Sequence, residues 1–151
     1  MSSDSASPPE EHIQDSLPYF EEGVMAGFPS PVMGELNGTL NLNTLCIQHP
    51  ATTYYVRARG DSMIGAGISD GDILVVDRSI TPQHGDIIIA AIDGEFTVKR
   101  LHRQGSNVFL SPENPAYPSR LLTAEEQAEF FGVVTWILKA ACRRNSGKNY
   151  C

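Results

Sequence analysis

Ser62 and Lys99 are the two residues whose types and setting admit nucleophilic chemistry, and they lie 37 positions apart. Ser62 belongs to Ala58-Arg59-Gly60-Asp61-Ser62-Met63-Ile64. The preceding Tyr54-Tyr55-Val56-Arg57 reads as a strand, with aromatic and β-branched residues interleaved with polar ones. Gly60-Asp61 is turn chemistry, so Ser62 falls just past a strand end, where backbone N–H groups can point at whatever its hydroxyl touches. Most serines at turns only cap or bond locally. A hydroxyl becomes a nucleophile only beside a base, and lysine is a known alternative to histidine in that role. The lysine must then be desolvated, so that its pKa falls towards neutrality.

Lys99 sits where a strand would place it. Asp93-Gly94 divides the apolar run Ile87-Ile88-Ile89-Ala90-Ala91-Ile92 from Glu95-Phe96-Thr97-Val98-Lys99-Arg100. Asp-Gly readily adopts the positive φ of a two-residue hairpin turn. In the second strand, alternation sends Phe96 and Val98 to one face and Glu95, Thr97 and Lys99 to the other. By itself, that pattern fits a solvated lysine as well as a catalytic one.

The elements around the pair are short. Ser69-Asp70-Gly71-Asp72 predicts a turn into the apolar strand Ile73-Leu74-Val75-Val76, and Gly65-Ala66-Gly67-Ile68 allows one helical turn. Further strands are expected at 86–92, 95–102, 107–110 and 131–141, with a proline-rich loop at 112–118. Glu125 to Glu129 suggests a short helical turn capped by Thr123. Gly34 to Thr44 reads as a polar linker, with Leu36, Leu40 and Leu42 able to add an edge strand. The pattern indicates a mostly β fold.

The combination Gly-Asp-Ser-Met followed by Asp-Gly-Glu-Phe-Thr-Val-Lys resembles the LexA and UmuD family of self-cleaving serine peptidases. Ala26-Gly27 within Ala26-Gly27-Phe28-Pro29-Ser30-Pro31 looks like that family's self-cleavage site. Ile47-Gln48-His49-Pro50, Gly67-Ile68-Ser69-Asp70-Gly71-Asp72, Ile80-Thr81-Pro82-Gln83-His84-Gly85-Asp86 and Phe131-Gly132-Val133-Val134 extend the likeness, which covers about residues 26 to 142 and is strongest to the UmuD-like branch. The resemblance implies a LexA/UmuD-type β-sheet peptidase domain with a flexible N-terminal arm. It also implies Ser62 as nucleophile, Lys99 as base, and an oxyanion site made by the backbone of Ser62 and Met63. It further implies cleavage of Ala26-Gly27 stimulated by a RecA filament on single-stranded DNA, as part of the SOS response to DNA damage. The processed homodimer would then serve a UmuC-like, Y-family catalytic subunit as part of an error-prone translesion polymerase.

Charge and length are compatible with that reading. The 151 residues suffice for one modest core. Of the net charge of −7, residues 1–27 hold Asp4, Glu10, Glu11, Asp15, Glu21 and Glu22 with no Lys or Arg, leaving twelve acidic and eleven basic residues elsewhere. A nearly neutral body with an acidic arm offers no electrostatic footprint for direct DNA binding. The arm is also rich in Ser and Pro, although its Leu17-Pro18-Tyr19-Phe20 could pack on the body or on a partner. We expect an arm at 1–27, a peptidase domain at 28–142 and a polar tail at 143–151. Neither a membrane span nor a secretory signal is expected, and the setting is taken as a reducing cytoplasm with Cys46, Cys142 and Cys151 as free thiols. No metal or cofactor is implied, the cysteines and the four histidines being scattered.

Three other readings bear on the same residues. A LexA-type repressor would need a helix-turn-helix domain of roughly sixty residues before the cleavage site, where this chain has an acidic arm. A signal-peptidase-like enzyme would bring a membrane anchor. A non-catalytic dimeric interaction module would use the fold without the chemistry.

Overall fold

A computed structural model describes residues 15–21 and 38–142 of the chain. Ala26-Gly27, the pair expected to be cleaved, the greater part of the arm and residues 143–151 lie outside the described residues. The chain divides into two compact units, residues 1–45 and 46–151.

In the first unit Leu17–Pro18 (β1) pairs antiparallel with Thr39–Leu40 (β2), in the register Leu17 to Leu40 and Pro18 to Thr39. The Tyr19 N–H extends the pairing by donating to Gly38 O at 3.0 Å. A single helical turn, Leu42–Cys46 (α1), follows where only linker or edge strand was expected. Asn41 explains it, because its Oδ1 accepts from the Thr44 N–H at 3.2 Å and caps the turn.

The second unit is built on one sheet of seven strands among the described residues. In chain order these are Thr53–Arg57 (β3), Ile73–Asp77 (β4), Ile87–Ile92 (β5), Glu95–Gln104 (β6), Asn107–Ser111 (β7), Arg120–Leu121 (β8) and Ala128–Leu138 (β9). Their spatial order is β3-β4-β9-β5-β6-β7-β8, with every pairing antiparallel. The mostly β expectation is borne out. The final strand lies inside the sheet, so β4 and β5 flank a segment that begins only at Ala128.

Two expected boundaries need correction. Residues 125–129 form no helix: Glu126 N–H donates to Thr123 O, Glu126 Oε2 accepts from Thr123 N–H, and β9 already begins at Ala128. Only half of a capping box is present, since the Glu126 N–H donates to the Thr123 carbonyl and not to its hydroxyl, so the bonds close a turn and the ladder to β5 takes the chain from Ala128. That strand ends at Leu138 rather than at Ala141.

Alternation along β5 fills two cores. Ile89 packs with Ala58, Met63, Ile68, Leu74 and Val76, while Ile88, Ala90 and Ile92 pack with Leu101, Leu110 and Val133. Strands buried on both faces read as continuous apolar runs, which is why Ile73–Val76 and Ile87–Ile92 lack polar residues. The Asp93-Gly94 turn closes the β5–β6 hairpin, with φ of 50° and 84° and Ile92 opposite Glu95. Cys46 is free, whereas Cys142 is disulfide-bonded, which corrects the expectation of three free thiols.

Candidate active site

β6 is longer than either neighbour. It pairs with β5 over residues 95–100 and with β7 only from Arg100 onward. Among the described residues, the outer edge of Glu95–Lys99 therefore has no strand beside it. A cleft of about 250 Å³ opens at that edge. Phe96, Thr97, Val98 and Lys99 form one wall, and Val56, Arg57, Ala58, Arg59, Gly60, Ser62 and Met63 form the other, with Ile68 and Ile89 also lining it.

Ser62 reaches this cleft because β3 ends at Arg57 and the chain turns at Gly60, whose φ is +80°. The turn is pinned from two sides. Gly60 N–H donates to Asp70 Oδ1 at 2.8 Å, and Tyr117 Oη donates to Asp61 Oδ1 at 2.6 Å. Asn114 Nδ2 adds a bond to Asp61 O at 3.0 Å. Met63 and Ile68 then sink into the core, and one 3₁₀ turn, Ile64–Ala66, joins them. This leaves Ser62 partly buried at the mouth of the core.

Lys99 Nζ lies 3.1 Å from Ser62 Oγ, and also donates to Val98 O at 3.1 Å. Burial pushes its pKa below the ordinary lysine value, since the charged form loses hydration. The lining contains Arg57, Arg59 and Lys99 but no carboxylate, so no anion in the cleft holds the proton on. The Ser62 and Met63 N–H groups meet no acceptor among the described residues. Unpaired backbone donors beside a hydroxyl and an amine can stabilise a developing oxyanion. The structure thus brings together Ser62, Met63 and Lys99; Ala26 and Gly27 lie outside the described residues.

Several residues around the site carried no signal of their own in the sequence. Glu113, Asn114 and Tyr117 come from the loop read only as proline-rich, yet all three bond the loop that carries Ser62. The pairing of Gln104 with Asn107 could have revealed part of this, because extending that hairpin sets Arg100 opposite Ser111 and leaves Glu113 within reach of Arg100.

A second serine–histidine–aspartate group is not a triad. Ser79 Oγ and Asp77 Oδ2 approach the same ring nitrogen of His49, Nδ1, at 3.3 and 2.6 Å. A histidine relaying a proton must use both nitrogens. This cluster instead satisfies the buried Asp77 carboxylate. Among the described residues no group of His, Cys, Asp and Glu could hold a metal ion, and no helix is long and apolar enough to cross a membrane.

The described residues thus form an antiparallel β-sheet with a serine and a lysine side by side in a cleft at one strand edge. The chain belongs to the Peptidase S24-like family, whose sequence profile matches residues 18–135. It is 48% identical over 128 residues to protein SamA of Salmonella typhimurium, covering 85% of this chain and 89% of that one. It is 45% identical to protein MucA of Escherichia coli and 48% identical to protein ImpA of Shigella flexneri, each over 121 residues, 80% of this chain and 82% of theirs. As a member of this family, the chain is a serine peptidase in general type.

Proposed function

We propose that this protein cuts its own Ala26-Gly27 bond, with Ser62 as nucleophile and Lys99 as base. The observation that carries the reading is the 3.1 Å approach of Lys99 Nζ to Ser62 Oγ in a cleft without a carboxylate. Neutral Lys99 takes the hydroxyl proton as Ser62 Oγ attacks the Ala26 carbonyl carbon. The resulting oxyanion accepts from the Ser62 and Met63 N–H groups. Lys99 then passes its proton to the leaving Gly27 nitrogen, and the C–N bond breaks to give an acyl-serine. Water adds to that ester, Lys99 again acting as base, and releases the Ala26 carboxylate.

A small residue before the scissile bond lets the carbonyl approach a half-buried serine, and Gly27 lets the backbone bend into the cleft. Docking of residues 24–28 would also exclude water and favour the neutral amine. In the LexA and UmuD family that docking is promoted by the RecA filament on single-stranded DNA. We extend the same regulation to this chain, as an SOS protein of the cytoplasm. Its similarity to the UmuD-like branch supports a processed homodimer that serves a Y-family polymerase in translesion synthesis. In this scheme the arm, residues 1–27, is removed up to Ala26, and the product keeps Gly27, the peptidase body at 28–142 and the tail at 143–151.

Incubation of the full chain with RecA and single-stranded DNA, followed by mass spectrometry, tests this directly. We expect a product beginning at Gly27, and none from Ser62→Ala or Lys99→Ala. A product with another N-terminus would refute the site, and undiminished cleavage by Lys99→Ala would refute the chemistry.

A further inference from the structure

Glu113 touches both halves of the site. Its N–H donates to Ser62 O at 2.9 Å, and its carbonyl accepts from the Gly65 N–H at 2.7 Å. Both peptide groups belong to the loop that presents the nucleophile. The approach is close enough that a β-carbon on Gly65 would lie 2.7 Å from Glu113 O. The Glu113 side chain points the other way along the site, where its Oε1 accepts from Arg100 Nε at 2.5 Å. Arg100 Nη1 in turn donates to Gly85 O at 2.5 Å, so the guanidinium is held at two points.

Arg100 is the residue after Lys99, and it is also the first residue of β6 laddered to β7. Lys99 therefore stands at the ladder's end, where one edge of its strand loses support. The Arg100–Glu113 pair is the bridge that spans from this strand end to the Ser62 loop. Both side chains are only partly buried, at 27% and 33% exposure. Ion pairs so exposed add little to global stability. Their geometric effect is larger, because proton transfer from serine requires the two heavy atoms to stay within hydrogen-bond reach.

We propose that Glu113, acting through Arg100, is a positioning residue of the serine–lysine reaction, holding the loop of Ser62 in register with the strand of Lys99. This rests on the assignment of Ser62 and Lys99 made above. The charged groups around Lys99 are Arg57 and Arg59 from the facing wall and the Arg100–Glu113 pair beside it. Loosening the bridge lets water reach the amine without removing any of the reacting groups.

The test measures self-cleavage of the full chain between pH 7 and pH 10.5 for Glu113→Ala, Glu113→Gln, Arg100→Ala and the Arg100→Ala/Glu113→Ala double variant, with melting curves in parallel. We expect each alanine variant to lose at least tenfold in rate, with the inflection of its pH profile moved upward and its melting temperature nearly unchanged. Glu113→Gln keeps the acceptor for Arg100 and should recover most of the rate. The double variant should be no slower than the slower single one, since both remove one bridge. Rates within twofold of wild type, or a rate loss that follows melting temperature with an unmoved inflection, overturn the proposal. A second readout separates it from the chemistry: the NMR titration of the Lys99 side chain in the same proteins. If wild type fails to cleave or Lys99→Ala cleaves normally, the serine–lysine reading falls. A titration raised by Glu113→Ala then still supports the bridge, and an unmoved titration overturns it.

Discussion

Lys99 Nζ has two acceptors, Ser62 Oγ and Val98 O, both 3.1 Å away and both uncharged. An ammonium with neutral partners in a partly dry cleft gains less from its charge than it loses in hydration. The direction of its pKa shift, downward, follows from that imbalance.

Self-cleavage should therefore rise with pH and level off below the ordinary lysine value of about 10.4. Lys99→Arg should be inactive throughout this range, because a guanidinium keeps its proton. A pH–rate profile of the unstimulated protein checks both points. A variant with arginine that sped up in alkali would count against lysine as the base.

The same shift has a stability consequence of definite sign. A lysine with its folded pKa below its unfolded one binds more protons when unfolded, so stability rises as pH climbs through the folded value towards the unfolded one. Below both values the full cost is present. Lys99→Met should consequently melt higher than wild type at pH 7, and the gap should narrow towards pH 10.5. Activity would be lost in the same variant, a trade between stability and function.

Asp77 works in the opposite direction. Burial acts to raise its pKa, but hydrogen bonds from His49, from the Ser79 hydroxyl and N–H, and from Thr52 together outweigh it and hold the carboxyl below the ordinary range. A depressed folded pKa gives stability that is present above about pH 4 and lost as pH falls through the folded value. Asp77→Asn should lower stability at pH 7 by about 1–3 kcal/mol, having lost charge-assisted bonds at a buried position. Its acid-unfolding curve should also be flatter than that of wild type, as followed by circular dichroism.

Leu101 is fully buried in the core formed with Ile88, Leu110 and Val133. Leu101→Ala should cost about 2–5 kcal/mol by urea denaturation, the transfer loss plus the cavity left behind. Since Leu101 packs in the core that does not contain Met63, cleavage measured well below the new melting temperature should change little.

Gly65→Ala tests the close approach behind the Ser62 loop. The added carbon must displace the Glu113 carbonyl, which is backbone and cannot rotate away. We expect slower self-cleavage by tenfold or more, and a melting temperature lowered by several degrees. Gly94→Ala in the β5–β6 turn provides a comparison: it strains a positive-φ position of 84° without meeting the Ser62 loop, and should lower the melting temperature while sparing the rate.

Much of the fold was legible because it is local. The Asp93-Gly94 turn fixed the β5–β6 hairpin and its register, and the apolar runs at 73–76 and 87–92 marked strands buried on both faces. Local signals misled at Glu125–Glu129, where Thr123 and Glu126 close only a turn and the ladder to β5 begins at Ala128. They were silent at Arg120–Leu121, whose two-residue pairing with β7 has no periodicity to read.

Residue type and turn placement made Ser62 and Lys99 candidates, and the resemblance of their two segments to the LexA and UmuD family joined them into a pair. Their separation of 3.1 Å, the edge of Glu95–Lys99 left without a strand among the described residues, and the Glu113–Arg100 bridge were decided only in three dimensions. Side-chain alternation and turn preference act over a few residues, and a linear chain carries both. Which strand edge stays open, and which loop crosses it, depends on β9 threading between β4 and β5. That pairing is set by the burial of both sheet faces at once, a condition no single stretch of sequence contains.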